Sequence, residues 1–231
     1  MKRFWRTVEA QEKGGRWSIL LDGKPLRTPA RVPLELPTRA LADAIAAEWD
    51  EVGDDIDPRA MPMTGLANAA IDHVAPDPAA FADALAKYAE ADLACYRAEG
   101  PSGLVERQEQ DWGGLLAWAR RRFDVDFNTT SGLAHAEQPP ATVERLAHEV
   151  RQLDAFQLAG LSPLVTIGGS LIAALGVLDG GVPAGQAWEA VSLDERWQAE
   201  QWGVDKEAQA ATASRRRDFL AAAHFLALLE A

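Results

Sequence analysis

The spacing of hydrophobic residues changes once along the chain, and that change decides what the chain can fold into. Before residue 37 two runs carry apolar side chains at every second position: Trp17, Ile19 and Leu21, then Val32, Leu34 and Leu36. This is strand spacing. Asp22-Gly23 is a hairpin-turn pair. Pro25, Pro29, Pro33 and Pro37 limit central-strand pairing, so short, edge-like or bent strands in a small antiparallel sheet are expected. From Thr38 the period becomes helical. Thr38 follows Pro37 and can cap a helix whose inner face holds Leu41, Ala44, Ile45, Trp49 and Val52. The fold class is therefore α+β: a small N-terminal antiparallel β region followed by a larger all-helical domain. The expected division is a β-rich domain with one helix over 1–58 and a helical domain over 59–231.

The remainder reads as a succession of helices. After the acidic loop of Asp54, Asp55, Asp57 and Pro58, a second helix is expected over 64–74. Asp77 and Pro78 open a third, with Phe81, Leu85, Tyr88 and Tyr96 on its apolar face, stopped by Gly100-Pro101. A fourth covers 104–123 with Trp112, Leu115 and Ala119 on one face. Gly113-Gly114 inside it costs about 1 kcal/mol per glycine relative to alanine, which close packing would offset. Residues 124–138 read as a connection. Pro139-Pro140 starts a helix with Val143, Leu146, Val150 and Leu153 inward, and Ser162-Pro163 caps the next. That one is apolar on all sides, as a buried central helix is. Pro183 begins a helix with Trp188, Val191, Glu195, Ala199 and Trp202 on one stripe, and the last helix covers 205–229.

Composition excludes several classes of function. A chain of 231 residues can bury a sizeable core without staples. Its net charge of -12 makes phosphate backbones and anionic lipid poor partners, so neither nucleic acid nor stable membrane insertion is expected. A single cysteine, Cys95, excludes a disulfide framework and a multi-thiolate zinc site. The longest apolar run, 164–178, is short and interrupted by Thr166, Gly168, Gly169 and Ser170. Met1-Lys2-Arg3-Phe4-Trp5 has neither an apolar signal core nor a transit-peptide composition, which points to the cytoplasm.

Catalytic signatures are missing: the sequence has no phosphate loop, no G-x-S-x-G and no H-E-x-x-H. Thr166 to Ser170 lies in an apolar helical run, where helix packing is favoured over anion binding. His73, His135, His148 and His224 have no metal-ligand spacing, so neither a metal nor a cofactor is expected. Nothing local depresses the pKa of Cys95, which reads as a core residue. Asp92 falls on an apolar stripe, and a buried carboxylate needs a partner. Arg97 is the nearest cation, and Asp92, Tyr96 and Arg97 read as structural. So does Trp49, in the core. The segment from Trp188 to Trp202 combines tryptophans (Trp188, Trp197, Trp202) with acids (Asp194, Glu195, Glu200). Tryptophans supply contact area at interfaces, and an acid can fix a basic group of a partner. The same acids could instead be a solvated face, or a carboxylate pair for acid–base chemistry.

Several segments in order resemble one family. Leu21-Asp22-Gly23-Lys24-Pro25-Leu26-Arg27-Thr28-Pro29 resembles its N-terminal signature, and Ala91-Asp92-Leu93-Ala94-Cys95-Tyr96-Arg97-Ala98 its D-L-x-C-Y-R-A motif. Thr166-Ile167-Gly168-Gly169-Ser170-Leu171 resembles its buried-helix segment. Leu193-Asp194-Glu195-Arg196-Trp197-Gln198 with Trp202-Gly203 resembles its C-terminal motif. Trp197 and Gly113-Gly114 depart from the usual pattern. The family is that of the F(1)-ATPase assembly chaperones that act on the α subunit of ATP synthase, found in α-proteobacteria and mitochondria.

The resemblance implies a non-enzymatic chaperone, monomeric when free, cytoplasmic in bacteria and in the mitochondrial matrix for eukaryotic relatives. It would bind the free α subunit, shield its apolar subunit interface and yield it to the β subunit. It also implies a functionally important acid in the C-terminal motif, carried first to Glu195 and second to Asp194. The candidate client-binding residues are Glu195, Asp194, Trp188, Trp197, Glu200 and Trp202. Two alternatives stay open: an enzyme using Asp194 with Glu195 or Glu200, and an adaptor for another protein.

Overall fold

The strand signals of the N-terminus produce a small antiparallel sheet. The computed structural model describes residues 2–132, 134–203 and 205–230. Strand β1 (Val8–Lys13) pairs antiparallel with β2 (Arg16–Leu21), from Val8 opposite Leu21 to Lys13 opposite Arg16. The other edge of β2 carries two short strands, β3 (Lys24–Pro25) and β4 (Glu35–Leu36), both antiparallel. Asp22 and Gly23 take positive φ (48° and 74°), the twist a two-residue hairpin turn demands. Ile19, Leu21, Leu34 and Leu36 are buried. Against this sheet packs α1 (Arg39–Asp50) through Leu41, Ala42, Ile45 and Trp49. Thr38 caps α1 as expected, its Oγ1 accepting from the Leu41 N–H at 3.2 Å. The Trp49 and Trp5 rings stand 4.9 Å apart, and Trp5 Nε1 donates to the Trp49 carbonyl.

The second helix starts slightly earlier than the spacing predicts. It runs as α2 (Pro62–Ala69) and continues as a π-helical turn over Ala70–Val74. Its N-terminus has no cap of its own. Glu48 of α1 supplies one, accepting from the Met63 and Thr64 N–H groups at 2.7 and 2.8 Å. Burial raises the Glu48 carboxyl above its ordinary range against the pull of these bonds.

The third helix is shorter than its pattern predicts. It runs as α3 (Pro78–Ala86) and a 3₁₀ extension, and the chain leaves helical geometry at Ala91 (φ −146°, ψ 50°). Asp92 turns inward there, so Tyr96 lies not on this helix but in a two-residue strand, β5 (Tyr96–Arg97). Helix α4 (Ser102–Phe123) follows, and the connection after it contains β6 (Thr130–Ser131), parallel to β5. Then come α5 (Pro140–Arg151), α6 (Ala155–Gly168) and α7 (Leu171–Leu178). The apolar run is thus two helices and not one. Helix α6 begins well before Ser162: Asp154 Oδ1 accepts from the Phe156 and Gln157 N–H groups, while Gln157 Oε1 accepts from the Asp154 N–H. This reciprocal cap outweighs the signal of Ser162-Pro163, and Pro163 sits inside the helix. Gly169, at φ 66°, makes the break that a side chain would strain, and Ser170 caps α7. The buried central helix is α7, with Leu171 to Gly176 all buried.

The single stripe expected from Trp188 to Trp202 is broken as well. Helix α8 (Ala184–Val191) stops where Ser192 leaves helical geometry and its hydroxyl donates to the Trp188 carbonyl. Helix α9 (Leu193–Trp202) starts afresh, and α10 (Lys206–Leu229) closes the chain. The chain divides into two units. Met1–Pro78, Asp154–Gly160 and His224–Ala231 hold the sheet, α1 and α2; Ala79–Leu153 and Leu161–Ala223 hold α4, α5 and α7 to α9.

Candidate functional site

Asp92 and its neighbours form a buried polar knot in the helical unit. Asp92 is fully buried, and its Oδ1 accepts from Ser170 Oγ at 2.8 Å and from the Ala94 N–H at 3.0 Å. Its Oδ2 accepts from the Ile172 N–H at 3.0 Å. The positive end of α7 therefore serves as partner, in place of the Arg97 charge expected for it. Burial pushes the Asp92 carboxyl up to about 6. Arg97 turns elsewhere, donating to the Ala94 carbonyl and to Glu109, with its guanidinium 5.4 Å from the Trp112 ring. Tyr96 hydroxyl meets His135 Nδ1 at 3.2 Å. Cys95 is buried, and its thiol is pushed up to about 12, mainly by burial, so it offers no reactive thiolate.

The acid- and tryptophan-rich segment is mostly α9. Only Leu193 of this helix is buried, so polar ties hold much of it in place. Asp194 and Glu195 stand in its first turn, where negative charge favours a helix. Asp194 accepts from Gln108 Nε2 at 2.7 Å, and buried Gln108 in α4 also accepts from the Ala98 N–H. Glu195 takes both arms of the Arg215 guanidinium from α10. Glu200 takes Arg107 of α4 at 2.8 and 3.1 Å. The same Arg107 lies 4.8 Å from the Trp197 ring centroid. Trp197 presses on Gly103, where an added Cβ would lie 2.9 Å from its Cη2.

Between α9 and α10 lies a groove of about 760 Å³. Ala199 and Trp202 form one wall, Ala208, Ala211 and Thr212 the other, and the Glu195–Arg215 pair and Arg216 also line it. Trp202 is 78% exposed. Trp188 does not reach this surface: it is buried in α8 with its ring 5.6 Å from that of Phe219. Sequence reading picked out the acids and tryptophans but missed the residues that hold them: Gly103, Arg107, Gln108 and Arg215. One signal was present, since Gln108 interrupts the inward stripe of α4 four residues before Trp112.

Among the described residues no group of His, Cys, Asp and Glu could hold a metal ion. No helix among them is long and apolar enough to cross a membrane.

The family model of the ATP12 chaperone protein matches residues 2–120, just over half of the chain. The chain belongs to the ATP12 chaperone family. The crystal structure of Atp12 from Paracoccus denitrificans superposes with a TM-score of 0.94 at 43% identity, covering 99% of this chain and 98% of that one. A variant of the Paracoccus protein with an aspartate changed to lysine matches equally well, at 0.94 and 43% over 99% and 97% of the two chains. Among curated proteins, the mitochondrial protein atp12 of Schizosaccharomyces pombe is 26% identical, over 90% of this chain and 75% of its own length. An ATP12 chaperone is not an enzyme, so the reading of Asp194 with Glu195 or Glu200 as a catalytic carboxylate pair falls. Asp194, Glu195 and Glu200 instead tie α9 to α4 and α10.

Proposed function

We propose that this ATP12 chaperone serves ATP synthase assembly by binding the free α subunit of the F(1) head. It shields the apolar subunit interface from aggregation and yields the subunit to β. The observation that carries this reading is Trp202, 78% exposed on the wall of a groove with apolar walls. Tryptophan at the edge of such a groove supplies contact area at low entropic cost. Glu195 takes the part of a positioning residue that holds α9 to α10, while Asp194, Glu200 and Trp197 seat α9 on α4. Trp188 packs against Phe219 of α10. Release needs no nucleotide: once β competes for the same surface, mass action removes the chaperone. In a bacterial cell this takes place in the cytoplasm, with the free chaperone monomeric.

The test is co-expression with the cognate α subunit in the absence of β. Soluble α that co-elutes with the chaperone, and is freed by added β, is expected. Glu195→Lys sets like charges against each other at Arg215, so α retention should drop sharply. Melting should shift little, because an exposed ion pair contributes about 0.2–1 kcal/mol. Glu195→Lys combined with Arg215→Glu restores the pair in reverse and should restore retention. Full retention by Glu195→Lys would remove α9 from the binding face. Aggregated α beside well-folded chaperone would remove the α subunit as client.

A further inference from the structure

The acids of α9 suggested from sequence that the client presents a basic group. The structure removes that basis. Asp194 is taken by Gln108, Glu195 by Arg215 and Glu200 by Arg107. The remaining charges along the groove are also engaged, with one exception. Arg196 pairs with Glu189 at 3.0 Å and donates to the Glu189 carbonyl. Asp205 Oδ2 accepts from the Ala208 N–H, capping the start of α10. Arg216 lines the groove, is exposed, and has neither a hydrogen bond nor an ion pair among the described residues. Arg216 is therefore the one charged side chain of the groove lining without a partner among the described residues, on a molecule whose net charge is -12.

Resting on the assignment of this face to client binding, we infer that the groove takes an apolar-faced segment of the α subunit carrying a carboxylate, which pairs with Arg216. The walls fit the apolar part: Ala199, Ala208 and Ala211 are small enough to let a client backbone come close, and Trp202 offers a broad flat contact. The charge fits the rest. An acidic segment is repelled by most of the surface and attracted where Arg216 stands free, so the guanidinium fixes where it docks. A basic segment would be drawn to the acidic surface elsewhere and meets no carboxylate without a partner among the described residues that line the groove. The overall repulsion between an acidic segment and an acidic chaperone also limits affinity, in keeping with a client that must be handed on.

The experiment measures binding of purified α subunit to the full-length chaperone by calorimetry. It compares the wild type with Arg216→Glu, Arg216→Lys and the control Glu207→Lys, an exposed reversal on α10 outside the groove. Arg216→Glu should weaken binding by about tenfold or more, the scale of a broken interfacial charge pair. Arg216→Lys and Glu207→Lys should bind nearly as the wild type does, and all three should melt as it does. Wild-type-like binding by Arg216→Glu overturns the inference, and tighter binding would show that the client segment is basic. If the wild type itself fails to bind α, the client assignment fails first and the inference falls with it, an outcome separable from the loss of one variant.

Discussion

Asp92 shows how much one side chain can depend on a helix far away in sequence. Among the described residues its carboxylate is held by the Ser170 hydroxyl and by backbone N–H groups, those of Ala94 and Ile172 foremost, and burial pushes its pKa up from 3.8 to about 6. Between those values the folded protein keeps a proton that the unfolded chain has released. The stabilisation from this proton is complete below about 3.8 and is lost as pH rises through about 6. Its size is about 3 kcal/mol, because each tenfold gain in proton affinity on folding is worth roughly 1.4 kcal/mol. Asp92→Asn removes the titration. The stability of the wild type relative to Asp92→Asn, from urea unfolding, should therefore shrink between pH 4 and 6. A difference that grows over that range would mean that the site favours the ionised form. The sequence exposed Asp92 as a buried acid, because it interrupts an apolar stripe. It did not identify the partner, since Ser170 lies 78 residues away and Arg97 only five.

Helix ends proved harder to read than helix faces. Apolar periodicity found the inner faces of α1, α4 and α5, because burial of one side is a repeating demand. The break between α6 and α7 is made at two residues, Gly169 and Ser170, within an otherwise apolar run. The Asp154–Gln157 cap stands in the sequence as a D-x-x-Q pattern, which the reading from Ser162-Pro163 passes over. Ser170 does two jobs at its helix end: its Oγ accepts from the Ala173 N–H at 3.0 Å and donates to Asp92. Ser170→Ala should therefore cost more than an ordinary cap, about 2 kcal/mol, because it also takes a donor from a buried carboxylate. A urea midpoint unchanged from the wild type would show that water or neighbouring N–H groups replace both bonds. Helix α9 is the contrary case, a helix with little apolar face, and its place depends on partners from α4 and α10 that no local pattern reveals.

At the scale of the molecule, charge keeps an exposed tryptophan soluble. A net charge of -12 at neutral pH sets copies of the chain against each other, which guards the groove of Trp202 from self-association. That protection should vanish near the isoelectric point of about 4.8. Light scattering on acidification should rise toward that pH, and Trp202→Ser should reduce the rise. Equal scattering by both proteins would mean that another surface drives association. The sequence by itself determined the α+β class, the sheet-first order, the inward faces of α1, α4 and α5 and the acidic surface. These follow from repeating spacing and from composition, which are local or additive. Only the tertiary structure decided that Asp92 caps α7, that Trp188 is buried while Trp202 is exposed, and that the acids of α9 are already paired. Each depends on which side chains meet from distant parts of the chain, and packing, not periodicity, sets those meetings.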